Sequence, residues 1–396
     1  MANVSSSNGL EKRPALSFRD DCGREFPSWH RTTLGTIIEP YSEKVHGEHD
    51  FEVLTSSREG LQRQIDHFGS QQRHDTDGYN IIPLGFCTYR NRSDDGRFTF
   101  NINKISDKAI VSKFYPVFRF KNANSTFMTE YLNSSARARK KLSVLAVGTS
   151  QVVLSFEALK SAKFDLPCKE EQDKIASLLE CLNERVELQR SFVDALKKYK
   201  RGLLSNLFGE KITQGCTTKS YYFSEIAQRR SEKYDPSSGI EYPCVELENI
   251  EQETGKILAT VPSTAQSSIK NIAMPGDTLF GKLRPYLRKY AFAKKTMACS
   301  SEIWALIPSD VVLPKFLFYL VQTEHFLRVA NISSGTKMPR AEWSNIEKAE
   351  FFIPDFSVQR KVVSLLEGLD QKITFADSTL LSLNRLKASL LQHLFI

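Results

Sequence analysis

The residues that come closest to a nucleotide-binding motif lie between Gly276 and Leu283. A phosphate-binding loop needs two suitably spaced glycines, then Lys and a Ser or Thr whose hydroxyl ligates magnesium. Gly276, Gly281 and Lys282 keep that spacing, but Leu283 replaces the hydroxyl residue and the interior is apolar. The segment is typical of a β-strand, and we expect no nucleotide to bind in it.

Residues for metal, redox or catalytic chemistry are sparse. His46 and His49 stand in a polar segment without further ligands, so we interpret them as solvated and predict no metal site. The seven cysteines include no Cys-x-x-Cys pair, a pattern typical of a reduced, cytoplasmic protein without a disulfide framework. There is no Asn-Pro-Pro-aromatic run of the adenine methyltransferase kind and no acidic–lysine nuclease pair beside Asp355. These observations predict no catalytic residues.

Basic side chains near the second of these glycines offer a different chemistry. On a β-strand, Lys282, Arg284, Tyr286 and Arg288 would share one face, with Lys289 beside them, although the intervening proline favours an edge or a strand end. The formal net charge of +8 suits a polyanionic partner such as nucleic acid. From the residues alone, a DNA-contacting surface and a solvated edge strand both remain open.

Other polar side chains stand in loop-like settings where they could bind phosphates or base edges. They comprise a group around an Asn/Ser/Asp/Gly turn, a pair after one Gly-Thr dipeptide, and a group at and after a second Gly-Thr dipeptide. In that order they are Tyr89, Arg90, Arg92 and Arg97; Ser150 and Gln151; and Thr336, Lys337 and Arg340.

An internal repeat provides the elements that must position these side chains. Pro167–Phe208 aligns with Pro354–Phe395 at a constant offset of 187 residues, and 15 of 42 positions are identical. Pro167 and Pro354 stand where a helix start is expected. A duplicated unit indicates a target with two related halves.

Apolar residues in both copies recur at a 4,3,4,3 spacing, which predicts the seam of a coiled coil. Two matched seams favour pairing of the two helices with each other over packing of each on its own domain. Lys200 and Lys387 occupy the same seam position; they could set the register or extend outward to solvent. The predicted seam residues are Ile175, Leu179, Leu182, Val186, Leu196 and Leu203 in the first copy, and Val362, Leu366, Leu369, Ile373, Leu383 and Leu390 in the second.

The repeat divides the 396 residues into two mixed α/β (α+β) regions and two long helices, and no apolar run is long enough to cross a membrane. The two α/β regions differ in sequence. The predicted segments are a disordered lead at 1–25, a first α/β region at 26–166, a long helix at 167–208, a linker at 209–219, a second α/β region at 220–353 and a long helix at 354–396.

The first helix, with Glu170-Glu171-Gln172-x-Lys174-Ile175 near its start and Lys200-Arg201-Gly202-Leu203-Leu204 near its end, resembles the central conserved region of type I restriction–modification specificity subunits. The second copy is similar to their distal conserved region, although Ser357-Val358 replaces Glu170-Glu171. The stretch from Pro275 to Lys289 is similar to a segment of their target-recognition domains, and Tyr79 to Tyr89 is its looser counterpart.

This resemblance implies two target-recognition domains held apart by an antiparallel pair of coiled-coil helices. Each domain would read one half of a bipartite site in double-stranded DNA, which favours DNA contact by the basic residues named above. The helices would set the spacer and dock two methyltransferase subunits, and restriction subunits would join that complex. S-adenosylmethionine, ATP and magnesium would be bound by the partner subunits, with no cofactor on this chain.

Two alternatives belong to other functional classes. One is a self-contained enzyme that modifies or cleaves DNA, and the other is a structural protein whose helices only dimerise. The bases that are read, the spacer length and the presence of partner subunits depend on loop geometry or on other chains, and they do not follow from this sequence.

Overall fold

The computed structural model describes residues 14–69, 75–209, 218–332 and 338–395. The chain divides into two units, Met1–Gln189 with Thr379–Ile396, and Arg190–Ser378. Each unit contains one mixed α/β domain, the beginning of one long helix and the end of the other. The predicted fold class, two α/β domains with two long helices, is therefore confirmed.

The globular domain of the first unit is formed by short strands and short helices. Its elements are β1 (His30–Thr33), β2 (Ile38–Tyr41), β3 (Glu52–Ser57), β4 (Gly60–Arg63), α1 (Gln64–Phe68), β5 (Asn80–Ile81), β6 (Cys87–Tyr89), β7 (Arg92–Ser93), β8 (Phe100–Ile102), β9 (Ala109–Val111), β10 (Val117–Phe120), α2 (Ser125–Ser134), α3 (Ala136–Leu145), β11 (Val152–Val153), α4 (Phe156–Ser161) and β12 (Lys163–Leu166). The first long helix, α5 (Lys169–Leu207), follows directly.

Two four-stranded sheets organise this domain. One has the order β2-β10-β6-β8 with all pairs antiparallel, and the other has the order β4-β3-β9-β5 with β3 and β9 parallel. Two-stranded pairs, β1 with β12 and β7 with β11, complete it. The main core packs Phe118 and Phe127 of the domain against Ile175 and Leu179 of α5 and Leu394 near the C-terminus.

The second unit contains the elements β13 (Thr218–Tyr222), α6 (Phe223–Ile226), β14 (Ala227–Arg229), β15 (Lys233–Tyr234), β16 (Pro243–Val245), β17 (Val261–Pro262), β18 (Lys270–Ala273), β19 (Thr278–Gly281), β20 (Tyr290–Phe292), β21 (Met297–Cys299), β22 (Ile303–Pro308), α7 (Pro314–Leu320), α8 (Glu324–Ala330), α9 (Trp343–Ile346) and β23 (Glu350–Pro354). The second long helix, α10 (Phe356–Leu394), begins here.

The second domain repeats the topology of the first. Its antiparallel sheet has the order β14-β22-β19-β20, which corresponds strand for strand to β2-β10-β6-β8. Its mixed sheet has the order β15-β18-β21-β16-β17, with β16 and β21 parallel, and the pair β13–β23 matches β1–β12. Central strands β10 and β22 are rich in Val, Ile, Phe and Trp, which favour the pleated backbone. The fold is thus duplicated even where the sequence is not.

The long helices run antiparallel within the second unit. Lys200 Nζ lies 2.7 Å from Asp370, and Lys197 Nζ lies 3.4 Å from Asp377, so the numbering falls along α5 as it rises along α10. In the first unit, the ring of Phe395 contacts the domain core that also holds the start of α5. All twelve residues of the predicted seam are buried or half-buried.

A repeated glutamine joins each domain to the start of its long helix. Gln172 Oε1 accepts the backbone N–H of Asn124, the N-cap of α2, at 2.9 Å, while its amide donates to the carbonyl of Pro167 at 2.9 Å. Gln359 makes the same two contacts in the second unit, with the N-cap of α7 at 2.8 Å and the carbonyl of Pro354 at 2.9 Å. Both glutamines are nearly fully buried, so these bonds satisfy backbone groups that water cannot reach.

The helix starts differ where the two copies of the repeat differ. In place of the glutamates of the first copy, Asp355 caps α10 by accepting the backbone N–H groups of Ser357 at 2.8 Å and Val358 at 3.0 Å. The hydroxyl of Ser357, which also donates to Asp355, and the two backbone N–H groups hold the pKa of Asp355 below its usual range. The second helix therefore begins with a side-chain N-cap at Asp355.

The predicted disordered lead, residues 1–25, includes residues that the structure places in the first unit. Residues 1–13 lie outside the described residues, but from Pro14 onward the chain makes defined contacts in the first unit. Leu16 donates its backbone N–H to the carbonyl of His393 at 2.9 Å, and Phe18 packs on the core. The segment is polar on average, but it contains apolar residues such as Phe18 that bury surface against the core. Most of the predicted linker, residues 210–217, also lies outside the described residues.

Candidate nucleic-acid interface

In the first unit, four exposed arginines line a cleft of about 110 Å³, the arginine cleft, formed by Arg58, Arg90, Arg92 and Arg97. Arg58 comes from the β3–β4 turn, whereas the other three surround the chain that leaves β6. The sheet order places the β3–β4 turn near this chain, because Asn101 of β8 donates hydrogen bonds to Ser56 and to the backbone of Ser57. Sequence reasoning found three of the four arginines but missed Arg58, which lies more than thirty positions earlier in the chain.

Carboxylates fix two of these arginines and leave two available. Arg58 pairs with Asp95 at 2.7 Å, and Arg97 lies 4.0 Å from the same carboxylate. The hydroxyl of Ser93, the backbone N–H of Arg97 and the guanidinium of Arg58 hold the pKa of Asp95 below its usual range. Within the described residues, Arg90 and Arg92 form no ion pair, so their guanidinium donors are free to meet phosphates or base edges.

The remaining predictions for this domain have different outcomes. Ser150 is exposed, and Gln151 is half-buried with its amide donating to Asp94 at 3.0 Å, beside the arginine cleft. Tyr89, in contrast, is fully buried and its hydroxyl donates to the carbonyl of Leu154 at 3.0 Å. The prediction that Tyr89 contacts DNA is therefore wrong. Tyr89 corresponds to the buried Phe280 on the matching strand β19, and this correspondence was the signal that its ring belongs to the core.

In the second unit, the predicted strand face between Lys282 and Lys289 does not exist. β19 ends at Gly281, and residues Pro285–Leu287 form a 3-10 turn flanked by Arg284 and Arg288, both with a left-handed backbone (φ of 52° and 51°). After Gly281 the backbone bonds to residues 339–341, and Pro285, which has no N–H to donate, then begins the turn. The side chains of this segment therefore diverge and do not line up on one face.

The turn places its side chains in separate environments. Arg284 and Tyr286 are exposed, whereas Arg288 pairs with Glu324 at 2.7 Å and Lys289 donates to the carbonyl of Leu247 at 2.8 Å. Arg340 is fixed by both oxygens of Glu302, at 3.1 and 3.2 Å. Thr336 and Lys337, also predicted, lie outside the described residues.

Lys282 instead joins a cleft that the sequence did not reveal. This tryptophan cleft, of about 610 Å³, is lined by smaller residues and by Arg229, Arg230, Lys233, Lys282, Trp304 and Trp343. The guanidinium carbon of Arg229 lies 4.8 Å from the ring centre of Trp343 and 5.7 Å from that of Trp304. Cation–π contacts of this kind orient a guanidinium without neutralising it.

The electrostatics of the tryptophan cleft are basic. Arg229 forms no ion pair within the described part of the chain, and Lys233 donates to the neutral amide of Asn271 at 2.6 Å. The neighbouring Arg230 is different, because both of its bonds to the buried Asp277, at 2.6 and 2.9 Å, make it part of the core. Two of the three tryptophans of the chain lie in this cleft. That concentration appears only after folding, since they are far apart in sequence.

The helix lysines left open by the sequence have distinct positions. The side chain of Lys200 is only 8% exposed, and its Nζ lies 2.7 Å from Asp370 and 5.5 Å from the ring centre of Tyr319. Lys387, at the same repeat position, is half-buried and lies 3.9 Å from Glu130 in the first unit. Lys200 therefore points between the two long helices, and its ion pair with Asp370 links α5 to α10.

The described residues contain no group of three or more His, Cys, Asp or Glu side chains that could hold a metal ion. His46 lies 3.3 Å from Asp77, and His49 bonds the hydroxyl of Thr76 at 2.7 Å. The six cysteines in the described ranges are free thiols. Across those ranges, no helix combines the length and apolar character that crossing a membrane requires.

The chain thus combines a duplicated α/β domain, a basic cleft in each copy and two long helices. Comparison with known proteins identifies its family. The sequence profile described as "Type I restriction modification DNA specificity domain" matches residues 49–197 and 223–385. Because these matches cover well over half of the sequence, the chain belongs to the family of type I restriction–modification DNA specificity domains.

Individual relatives agree with this assignment. The type I restriction enzyme HindI specificity subunit of Haemophilus influenzae is 26% identical over 198 residues, covering 45% of this chain and 40% of that protein. The match thus spans less than half of that relative. The S subunit of a type I restriction–modification system from M. genitalium has the same fold, with a TM-score of 0.58, 17% identity and coverage of 97% of this chain and 99% of that one. A chain from a structure on complex assembly of the type I R-M system matches with a TM-score of 0.55, 17% identity and coverage of 93% and 98%.

Proposed function

We propose that this chain is the sequence-specific DNA-binding specificity subunit of a type I restriction–modification complex, and that each α/β domain reads one half of a bipartite DNA site. The observation that carries this proposal is the position of the two clefts. Arg90 follows β6 and lines the arginine cleft, and Lys282 follows β19, the matching strand, and lines the tryptophan cleft. One scaffold thus presents basic side chains beside the same strand in both domains.

The clefts differ in chemistry, which supports two unlike half-sites. The arginine cleft offers bidentate donors that suit phosphates and the acceptors of guanine. The tryptophan cleft adds two rings beside Arg229, and such rings offer apolar contact surface, for example to a thymine methyl group. A single scaffold with two different linings would give an asymmetric recognition sequence.

The partner subunits are also part of the proposal. Large apolar side chains are exposed at the same repeat positions of the two helices: Tyr199 and Leu386 are 62% and 49% exposed, and Leu188 and Phe375 are 64% and 75% exposed. Exposed apolar side chains that form a contiguous patch mark protein-binding surfaces, and we propose that these side chains belong to such a patch. Because the repeat supplies each position twice, two copies of one methyltransferase subunit fit it, and restriction subunits would then join the complex. S-adenosylmethionine, ATP and magnesium would be bound by those partners, and this chain would carry no catalytic group.

Variants in each cleft test the recognition proposal. The target is first mapped by methylation-sensitive sequencing of a strain that carries the complete system. Arg92→Ala should then weaken binding to that duplex by about 1 to 3 kcal/mol and relax selectivity in one half-site, while Lys282→Ala should affect the other half. Each lost phosphate contact should also lower the slope of log affinity against log salt by roughly 0.9.

Arg139→Ala is the matched control, because Arg139 is an exposed arginine on α3 that lines neither cleft. It should leave affinity within about twofold and both half-sites unchanged. If Arg92→Ala and Lys282→Ala relaxed the same half-site, or neither did, the assignment of one half-site to each domain would be refuted.

A second experiment addresses catalysis. The purified chain is incubated with target DNA, S-adenosylmethionine and magnesium, with and without methyltransferase subunits. We expect methylation only when those subunits are present. Methylation or cleavage by the chain alone would identify it as a self-contained enzyme.

A further inference from the structure

A cavity of about 350 Å³ lies in the second unit where the end of α5, the start of α10 and the globular domain meet. Its walls also include α7, β20 and the turn formed by residues 251–256. We call it the junction cavity. Its volume falls in the range of small-molecule sites, roughly 300 to 1,000 Å³. It is separate from the tryptophan cleft, with which it shares no lining residue.

Seven basic and three acidic side chains line the junction cavity, and Glu324, Glu367 and Asp377 pair with several of those basic groups from outside the lining. The available carboxylates are shared: Glu253 lies 3.2 Å from Arg201 and also pairs with a second arginine. Asp377 lies 3.3 Å from Lys256 and also pairs with a second lysine. Lys294 is exposed and forms no ion pair within the described residues. Among the described residues, Lys294 is therefore the rim cation that remains available to an anionic group of a ligand.

Below the rim, the cavity is aromatic. Tyr290, Phe292 and Phe318 line it, and Lys315 lies 4.2 Å above the ring centre of Phe292. The turn closes tightly over this floor at Gly255, whose φ is +75° and where an added Cβ would lie 2.8 Å from the ring of Phe318. A flat, apolar group fits between this floor and the basic rim.

One buried polar atom in the wall lacks a partner. Gln322 is 4% exposed, and its amide nitrogen donates to the carbonyl of Phe318 at 2.9 Å, but its Oε1 accepts no hydrogen bond from any described residue. Leaving a buried acceptor unsatisfied has a cost in stability. A ligand that brings an N–H or O–H donor to this wall would remove that cost.

In the first unit, the repeat positions of two of these cations carry uncharged residues. At the repeat positions of Lys197 and Arg201, the other copy has Asn384 and Ala388, whereas Lys200 is retained as Lys387. The retained lysine is the one with a buried ion pair. These two cations are therefore specific to the second unit, where both line the cavity.

We infer that the junction cavity binds a nucleotide: its phosphate would lie among Arg201, Lys256 and Lys294, its base would lie on the ring of Phe292, and an amino group of the base would donate to Gln322 Oε1. The combination of anion, flat ring and donor is what distinguishes a nucleotide from inorganic phosphate or a simple apolar molecule. A ligand that touches both long helices and the domain would also stabilise their arrangement within this unit.

Calorimetric titration of the full chain without DNA tests this inference, with AMP, adenosine and pyrophosphate as separate probes. AMP should bind with one site per chain and at least about tenfold more tightly than either fragment, because only AMP engages rim and floor together. Lys294→Ser should weaken AMP by about fivefold or more through loss of a charge-assisted contact. Gln322→Leu should weaken AMP and adenosine but leave pyrophosphate unchanged.

Lys295→Ser is the matched control, because Lys295 is the exposed neighbour of Lys294 but does not line the cavity. It should leave AMP affinity unchanged. The inference is overturned if AMP fails to bind at millimolar concentration, if pyrophosphate or adenosine binds as tightly as AMP, or if Lys294→Ser and Lys295→Ser have equal effects. None of these outcomes depends on DNA recognition, so this test is independent of the proposed function.

Discussion

The buried ion pair between the two long helices makes a sharp prediction about stability. Lys200 Nζ lies 2.7 Å from Asp370, whose other oxygen accepts the hydroxyl of Tyr319 at 2.9 Å. Lys200→Met keeps the aliphatic stem but removes the charge. Asp370 then keeps one hydrogen bond but loses its counter-ion in a site that is only 30% exposed.

The magnitude follows from this geometry. Removing one partner of a fully buried pair costs about 3 to 5 kcal/mol because a charge is left uncompensated. The partial exposure of Asp370 and its bond to Tyr319 reduce that cost, so we expect Lys200→Met to lower the free energy of unfolding by about 2 to 3 kcal/mol. Lys387→Met should cost less than about 1 kcal/mol, because Lys387 is more exposed and lies 3.9 Å from its carboxylate.

Urea titration followed by circular dichroism provides the measurement, with Lys387→Met as the control at the same repeat position. A double-mutant cycle with Asp370→Asn isolates the pair and should give a coupling of about 1 to 2 kcal/mol. Equal costs for the two lysine variants, or a coupling below about 0.5 kcal/mol, would refute the view that this ion pair stabilises the helix pair and fixes its register.

Three further predictions concern the helices and their starts. Gln359→Leu should cost about 2 kcal/mol in urea titration, because it leaves the N–H of the α7 N-cap and the carbonyl of Pro354 without partners in a buried site; a cost below about 0.5 kcal/mol would contradict this. Inserting seven residues into each long helix preserves the seam and lengthens each helix by about 10 Å. The spacer between the two half-sites, mapped by methylation-sensitive sequencing, should then grow by roughly three base pairs. An unchanged spacer would show that the helices do not set its length. Because the pKa of Asp355 is lowered in the folded state, the charged cap stabilises the fold above the unfolded pKa of about 3.9, and this stabilisation is lost as the pH falls through the lower folded value. The difference in thermal stability between the natural chain and Asp355→Asn should therefore shrink below about pH 4. A difference that does not change with pH would argue against a charged cap.

Recognition of the helices succeeded because their signal is local and periodic. Pro167, Gln172 and Lys200 recur at a constant offset in the second copy, and the 4,3,4,3 spacing identifies a seam without knowledge of the fold. The retained glutamine was visible as an identity, but its role was not. Only the structure shows that Gln172 and Gln359 bond the N-cap of a domain helix, since those partners lie more than forty residues away in sequence.

The candidate interface was predicted only in part, and the errors have physical causes. Alternation predicts a strand through Lys282 and Arg288, but the strand ends at Gly281 and a turn begins at Pro285. The position of Tyr89 next to several arginines in the sequence suggests a shared DNA-contacting surface, but its ring is buried in the core. Side chains on consecutive residues point in different directions, so proximity in sequence does not predict a shared surface.

By itself, therefore, the sequence determined the duplication, the two long helices with their seam, the α/β character of the intervening regions and the family they resemble. These features rest on local periodicity and on repeated residues. The tertiary structure alone decided which basic groups share a cleft: it brought Arg58 to Arg90 and Arg229 to Trp343. It also decided that Lys200 is buried in an ion pair while Lys387 is not. Such outcomes depend on contacts between distant segments, and no local pattern encodes those contacts.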